Sequence, residues 1–306
     1  MKIIEVKDVV KDYSEHRALD HVNLSVDEGT VYGLLGPNGA GKTSLIRILN
    51  QITKPDSGEV LLNGNPLHED DVMHMGYLPE ERGLYKKMKV LNHIIFLGRL
   101  KGMTKADAYR EGMMWLERMD LGEWANKKIE ALSKGMAQKV QFIATVVHRP
   151  KLLIFDEPFS GFDPVNTEQI KAEIMRINKE GATILFSTHN MASVEEICQD
   201  FTLINKSKVV LQGNVLDIRH RFKKHLYRVH IAEPVIAPTP ELFSIENLDR
   251  HPMGGTDVTL RLAKGIELKY VIAQLNEKYT LMGFEEILPS MNEIFIETVT
   301  DSNEQK

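Results

Sequence analysis

The chain has 306 residues, 42% of them hydrophobic and 26% charged, and a formal net charge of −5. That composition supports a sizeable core and argues against wholesale disorder and against a broad nucleic-acid-binding surface. Cys198 is the single cysteine, which excludes an internal disulfide or a thiolate metal cluster and reads as a small buried residue in a reducing compartment.

The chain opens on strand-like alternation, with Ile4 and Val6 between Glu5 and Lys7, so no signal segment is expected at the N-terminus. Val22, Leu24 and Val26 alternate in the same way. Residues 30–35 form a nearly continuous apolar run, which suits a strand buried on both faces. A glycine-rich turn follows, then Leu45, Ile46, Leu49 and Ile52 at helical spacing. Residues 90–148 read as mostly helical, and Thr104 with Asp107 resembles a capping box opening a helix over 105–119. Residues 152–155 and 182–187 are further buried strands, separated by a helix over 166–179. Strand, helix and strand in this order predict a parallel sheet with helices packed on it.

Near residue 222 the composition changes, with a basic run at Arg221, Lys223 and Lys224. Tyr227, Val229 and Ile231 alternate, as do Val258, Leu260 and Leu262. Leu268, Val271, Ile272 and Leu275 fall at helical spacing, and the residues around Ile294 and Ile296 read as a final strand or short helix. Pro234, Pro238 and Pro240 mark an irregular connection. The expected organisation is a large domain over 1–221, a small α+β domain over 222–306, and a frayed tail over 301–306. No run of about 18 apolar residues exists, so no membrane span is expected.

Two motifs carry chemistry. Gly36-Pro37-Asn38-Gly39-Ala40-Gly41-Lys42-Thr43 fits G-x-x-x-x-G-K-[ST] between a buried strand and a helix. Successive backbone N–H groups must converge on a polyphosphate there, and side chains at Gly39 and Gly41 are expected to obstruct that approach. The helix N-terminus adds partial positive charge. Lys42 is placed to reach the β- and γ-phosphates, the Thr43 hydroxyl to bind magnesium, and Ser44 to add a contact. The second motif is the apolar run 152–155 ending in Asp156 and Glu157. Such a strand delivers Asp156 to the magnesium and places Glu157 to polarise a water attacking the γ-phosphate. ATP and Mg2+ are therefore the expected ligands.

Five further segments follow in an order that resembles the nucleotide-binding subunit of an ABC transporter, over about residues 2–215. Tyr13 sits where that family has an aromatic that stacks on adenine. Gly76-Tyr77-Leu78-Pro79-Glu80 sits at the loop that usually carries a glutamine, and Leu132-Ser133-Lys134-Gly135-Met136 at the signature that usually reads LSGGQ. Ser160-Gly161-Phe162-Asp163 follows the carboxylates, and Ser187-Thr188-His189 stands at the switch histidine. The resemblance implies an α/β P-loop NTPase with a mixed sheet core, an antiparallel β subdomain and a helical subdomain at about 88–148. It also implies two copies sandwiching two ATP head to tail, with Ser133, Gly135 and Asp163 acting across the interface. Separate membrane permease subunits would be driven by hydrolysis, with the ATPase peripheral on the cytoplasmic face.

Two departures stand out. Glu80 replaces the loop glutamine; it can still ligate magnesium but adds negative charge near the phosphates. Lys134 and Met136 replace a glycine and the glutamine of the signature, and Lys134 either faces the nucleotide or is solvated. The stretch from Tyr77 to Tyr85 is similar to ATPase subunits of ABC-2-type exporters of the sodium-export type. So is the C-terminal pattern Pro289-Ser290-Met291-Asn292-Glu293-Ile294-Phe295. A soluble ABC ATPase of translation or DNA repair is the alternative. Against it stand a single phosphate loop and the absence of coiled-coil heptads or zinc-site cysteines between the two motifs. A small-molecule kinase would have no use for the signature or the histidine.

Overall fold

In the computed structural model, which describes residues 1–81, 83–234 and 236–304, the N-terminal alternation becomes two long antiparallel strands. These are β1 (Lys2–Tyr13) and β2 (His16–Asp27). Next come β3 (Val31–Leu35), α1 (Lys42–Leu49), β4 (Ser57–Leu62) and the short β5 (Asn65–Pro66). β4 pairs with β1 and β5 with β4, giving an antiparallel sheet in the order β2-β1-β4-β5. After β6 (Met75–Leu78) come three helices, α2 (Val90–Leu100), α3 (Lys105–Arg118) and α4 (Lys134–Val146). The chain then alternates through β7 (Leu152–Asp156), α5 (Pro164–Lys179), β8 (Thr183–Thr188), α6 (Met191–Ile197), β9 (Asp200–Asn205) and β10 (Lys208–Asn214).

The second sheet runs β10-β9-β3-β8-β7-β6. Five of its strands are parallel and β10 is an antiparallel edge, so the core sheet is mixed, as the resemblance implied. Every residue of β3, β7 and β8 is buried. That is why these strands read as unbroken apolar runs instead of alternating. α1 packs between the sheets: Leu45, Ile46 and Leu49 share one buried cluster with Val22 and Leu24 of β2, Leu34 of β3 and Ile154 of β7.

The helical region rests on small residues at helix contacts. A Cβ on Gly112 would stand 3.1 Å from Ile94 Cγ2, and one on Gly98 would stand 3.3 Å from the Ala108 Cβ, so α2 and α3 approach closely. Trp115 meets Phe142 edge-on at 6.0 Å, and Phe142 meets Phe155 of β7 at 5.8 Å, which joins α4 to the sheet. Thr104 caps α3 by accepting the Asp107 N–H at 3.1 Å. The Asp107 carboxylate accepts the Thr104 hydroxyl at 2.6 Å, in place of the reciprocal backbone bond of a full capping box. Cys198 lies against Gly33, its Sγ 3.0 Å from where a Cβ would stand, and burial raises its thiol pKa well above the ordinary value.

Residues 1–215, with the chain end from 298, form one compact unit, and residues 216–297 form a second. The latter begins within α7 (Val215–Arg221) and contains β11 (Leu226–Ile231), β12 (Phe243–Arg250), β13 (Thr256–Leu262), α8 (Leu268–Lys278) and β14 (Leu281–Ile287). Its antiparallel sheet is ordered β12-β13-β11-β14. α8 covers it through Val271 and Leu275, which cluster with Val229, Val258 and Leu260. The expected short final element is instead a 14-residue helix, α9 (Met291–Glu304), so residues 301–304 are helical and not a frayed tail. Ser290 and Glu293 start it with a reciprocal box: Ser290 N–H donates to Glu293 Oε2 at 2.8 Å and Glu293 N–H donates to Ser290 Oγ at 3.2 Å. Arg82, quoted above within the stretch from Tyr77 to Tyr85, lies outside the described residues, as do Val235, Gln305 and Lys306. No helix among the described residues is long and apolar enough to cross a membrane.

His93 on α2 is fully buried, and neither ring nitrogen has a hydrogen-bond partner among the described residues. Burial alone pushes its pKa down from 6.5 to about 4. The unfolded chain therefore takes up a proton that the folded chain refuses, and stability must fall as pH drops from 6.5 towards 4. The full effect is roughly 3 kcal/mol. Urea midpoints of the wild type are expected to decline through that window, and His93→Leu should flatten the decline. An unchanged pH slope in the variant would refute this assignment.

Candidate active site

β3 ends at Leu35 and the chain enters α1 through residues 36–41. Gly41 is the N-cap of α1, with φ of 114°, no side chain caps the helix, and no acid occupies its first turn. The first amides of α1 therefore present donors and partial positive charge. Two glycines are imposed by the fold itself. A Cβ on Gly36 would stand 2.1 Å from the Ile204 carbonyl oxygen, and one on Gly41 would stand 2.2 Å from that of Ala18 on β2. Gly39 has φ of 78° but nothing within 4 Å. The expected obstruction of a ligand thus has a nearer cause at Gly41, which is contact with β2. The Lys42 ammonium is buried and donates to the carbonyls of Gly36 at 2.7 Å and Pro37 at 3.1 Å. Burial lowers the Lys42 pKa, and Glu157, Asp156 and Glu80, in that order, oppose the shift.

The acids stand at the end of β7, where Asp156 pairs in register with Ser187 of β8. Ser187 Oγ donates to Asp156 Oδ1 at 2.5 Å and accepts the Glu157 N–H at 3.1 Å, so one hydroxyl fixes both acids. Glu157 itself has φ of 51°, a left-handed conformation uncommon for a non-glycine residue and often found where function needs it. Its Oε1 lies 2.9 Å from His189 Nδ1, and its Oε2 accepts Thr188 Oγ1 at 3.5 Å. The loop carrying Glu80 is held from α4: Gln141 Nε2 donates to the carbonyls of Pro79 at 3.0 Å and Glu81 at 3.3 Å.

These groups face one open cleft. Tyr13 lines it from the hairpin, Asn38, Gly39, Ala40, Gly41, Lys42, Thr43 and Ser44 from the turn and α1, and Glu80, Asp156, Glu157 and His189 from the opposite side. Gly36 and Pro37 lie behind, supplying the carbonyls that hold Lys42. Tyr13 is 39% exposed, with Lys11 Nζ 5.5 Å from its ring centre. His16 and Ala18 also line the cleft and were not singled out from the sequence. Their place follows from the register of β1 and β2, where His16 opposes Tyr13. The donor set suits a hard cation beside a polyphosphate: the Thr43 hydroxyl, the Glu80 carboxylate and the buried Asp156 carboxylate are all oxygens.

Ser133, Gly135 and Asp163 do not line this cleft. Ser133 is the N-cap of α4, and its Oγ accepts the Met136 N–H at 3.3 Å, which leaves the hydroxyl proton for another acceptor. Asp163 caps α5, accepting the Asn166 N–H at 3.0 Å, and that bond is the main cause of its lowered pKa. The two segments touch. Lys134 Nζ lies 2.8 Å from where a Cβ on Gly161 would stand, and Gln138 Nε2 donates to the Ser160 carbonyl. Lys134 thus lies over the loop that follows the acids in its own chain. Lys134 is exposed there, which agrees with the solvated one of the two places that its sequence position allows.

The profile of the family described as ABC transporter matches residues 19–160. That of the ATP-binding protein DrrA1-3-like C-terminal domain matches residues 213–299. YhaQ of Bacillus subtilis, described as an uncharacterised ABC transporter ATP-binding protein, is 39% identical over 97% of this chain and 98% of its own length. The linearmycin resistance ATP-binding protein LnrL of Bacillus subtilis is 29% identical over 72% of this chain and 71% of its own. Among solved structures, an ATP-binding subunit of an ABC transporter superposes with a TM-score of 0.67 at 30% identity, covering 72% of this chain and 93% of that one.

The two glycines of the turn should respond differently to alanine. Gly39→Ala meets only the backbone penalty, about 1 kcal/mol. Gly41→Ala adds a clash with the Ala18 carbonyl and should lose roughly 2 to 4 kcal/mol in all. Chemical denaturation of both variants checks the order; equal losses would argue against the contact with β2 as the constraint.

Proposed function

The chain belongs to the ABC transporter ATP-binding proteins, and from that premise we propose that it pairs around two ATP to drive a separate membrane permease of the exporter class. As an ATPase, it needs phosphate binding, a positioned water and a response to hydrolysis. Lys42 and the first amides of α1 hold the β- and γ-phosphates, and Tyr13 stacks on the base. Thr43, Asp156 and Glu80 would hold Mg2+, which supplies charge neutralisation on the phosphates. Glu157 polarises the attacking water, and its hydrogen bond to His189 keeps the carboxylate aimed while linking it to a side chain that senses the γ-phosphate.

The observation that carries the reading is the division of the expected residues into two groups. One group converges on a single cleft; Ser133, Gly135 and Asp163 stand elsewhere in the same chain. A serine hydroxyl at a helix N-terminus is an anion site. A head-to-tail partner would bring that site to the γ-phosphate, and loss of the phosphate would then loosen the pair. LnrL carries a resistance function by name and YhaQ a transporter one; both favour a transport role over one in translation or repair. The export direction rests on likeness to such relatives. With no spanning helix among the described residues, the proposed place is the inner face of the membrane, held there by the permease.

Two experiments test this. Glu157→Gln should lower ATP turnover by about 10²-fold or more while ATP still drives pairing, read by light scattering of the eluting protein. A variant that stays monomeric under saturating ATP contradicts the scheme. Completion in trans is tested by mixing Lys42→Ala with Ser133→Arg, each inactive alone. Mixed pairs hold one site with both groups intact, so activity should return to at most roughly a quarter of wild type. If Ser133 served its own chain's site, mixing would restore nothing.

A further inference from the structure

The C-terminal unit holds a cluster that the nucleotide chemistry does not use. His230 on β11 and Asp257 on β13 are opposed cross-strand partners, with His230 Nδ1 3.0 Å from Asp257 Oδ1. β12 ends at Arg250, and the turn after it folds back: His251 N–H donates to the Gly255 carbonyl at 3.1 Å, and Gly254 N–H donates to the His251 carbonyl at 3.0 Å. Gly254 and Gly255 have φ of 98° and 83°, and a Cβ on Gly255 would stand 2.2 Å from the Ile231 carbonyl oxygen. The turn is therefore tied to β11 beside His230, and it sets the His251 ring centre 4.0 Å from that of His230. One ligand atom from each of His230, His251 and Asp257 lies within 4.8 Å of the others, and all three residues are half-buried, open to an arriving ion.

We propose that His230, His251 and Asp257 form a binding site for a divalent cation of the zinc class, held independently of the nucleotide. Two imidazole nitrogens and a carboxylate oxygen suit Zn2+ and its first-row neighbours, whereas Mg2+ and Ca2+ favour all-oxygen shells. Three protein ligands leave a fourth tetrahedral position for water. The 3.0 Å between His230 Nδ1 and Asp257 Oδ1 is already near the ~3.4 Å that separates two ligands on one tetrahedral zinc. Binding exchanges two hydrogen bonds for metal bonds. One is this bond, with the His230 proton passing to Nε2 by way of solvent. The other is the 3.2 Å bond from Met253 N–H to His251 Nδ1, in a turn where Met253 is 90% exposed. The ion would fasten the β12–β13 turn to β11, joining three segments of the unit.

The full chain, stripped with a chelator, is titrated with ZnCl2 by calorimetry and with CoCl2 by visible absorption. The wild type should take up one equivalent of Zn2+ that His251→Gln and Asp257→Asn lose or bind at least about 100-fold more weakly. The d–d bands of bound Co2+ should fall with it. Equal stoichiometry and affinity in all three proteins, or a Co2+ spectrum that neither substitution changes, overturns the site. Because the substitutions lie in the unit of residues 216–297, unchanged far-ultraviolet circular dichroism and an unchanged thermal unfolding profile of the metal-free chain report that each variant is folded, and His230→Gln, read the same way, replaces one that is not.

Discussion

Everything at the cleft depends on the register of three buried strands. β8 lies between β3 and β7, with Leu35 opposite Thr188 and Asp156 opposite Ser187. That pairing sets the turn after β3, the two acids after β7 and His189 after β8 at one edge of the sheet. A slip of one residue would turn Ser187 away from Asp156 and break the hydroxyl bridge that also takes the Glu157 N–H. Complete burial of these strands makes such a slip costly, because apolar side chains would have to repack on both faces. The sheet therefore holds Glu157 in its left-handed conformation, which an isolated chain would rarely adopt.

α4 connects the other parts. Its N-cap, Ser133, belongs to the group outside the cleft, while Gln141, two turns on, grips the loop carrying Glu80. Gln138, between them, reaches the Ser160 carbonyl beside Gly161, where Lys134 lies. The signature, the loop after the acids and the Glu80 loop thus share one helix. With nine of its residues buried against its neighbours, a shift of α4 would be felt at all three. On the proposed reading this gives a physical route from the nucleotide edge to the helical region.

Local chemistry made some of this legible in the sequence. β3, β7 and β8 read correctly because burial on both faces leaves unbroken apolar runs, and the turn into α1 because its glycines and lysine sit at fixed spacing. β12 and β14 escaped because they are edge strands with exposed faces: only Phe243 of β12 is buried, and no residue of β14 is. The last helix read ambiguously because its apolar residues are few, although Ser290 and Glu293 carried its start signal. Tertiary causes were not legible at all. Nothing near Gly41 names the Ala18 carbonyl as what it must avoid, and nothing near Lys134 names Gly161; the capping role of Asp163 is different, being local and marked by Pro164 at the first helical position.

Glu80 adds a third carboxylate to the cleft. Three carboxylates, Glu157, Asp156 and Glu80, act on the one buried ammonium of Lys42. With an amide at position 80 the count would be two against one. The extra negative charge makes the cleft a poorer host for a bare triphosphate and a better one for a divalent cation, since oxygen ligands of formal charge bind Mg2+ more strongly than amides do. Within the proposed scheme, the metal and the nucleotide are therefore more tightly coupled here than in a glutamine-bearing relative. Gln141 of α4 holds the carbonyls on both sides of Glu80 and so fixes the loop that presents this carboxylate.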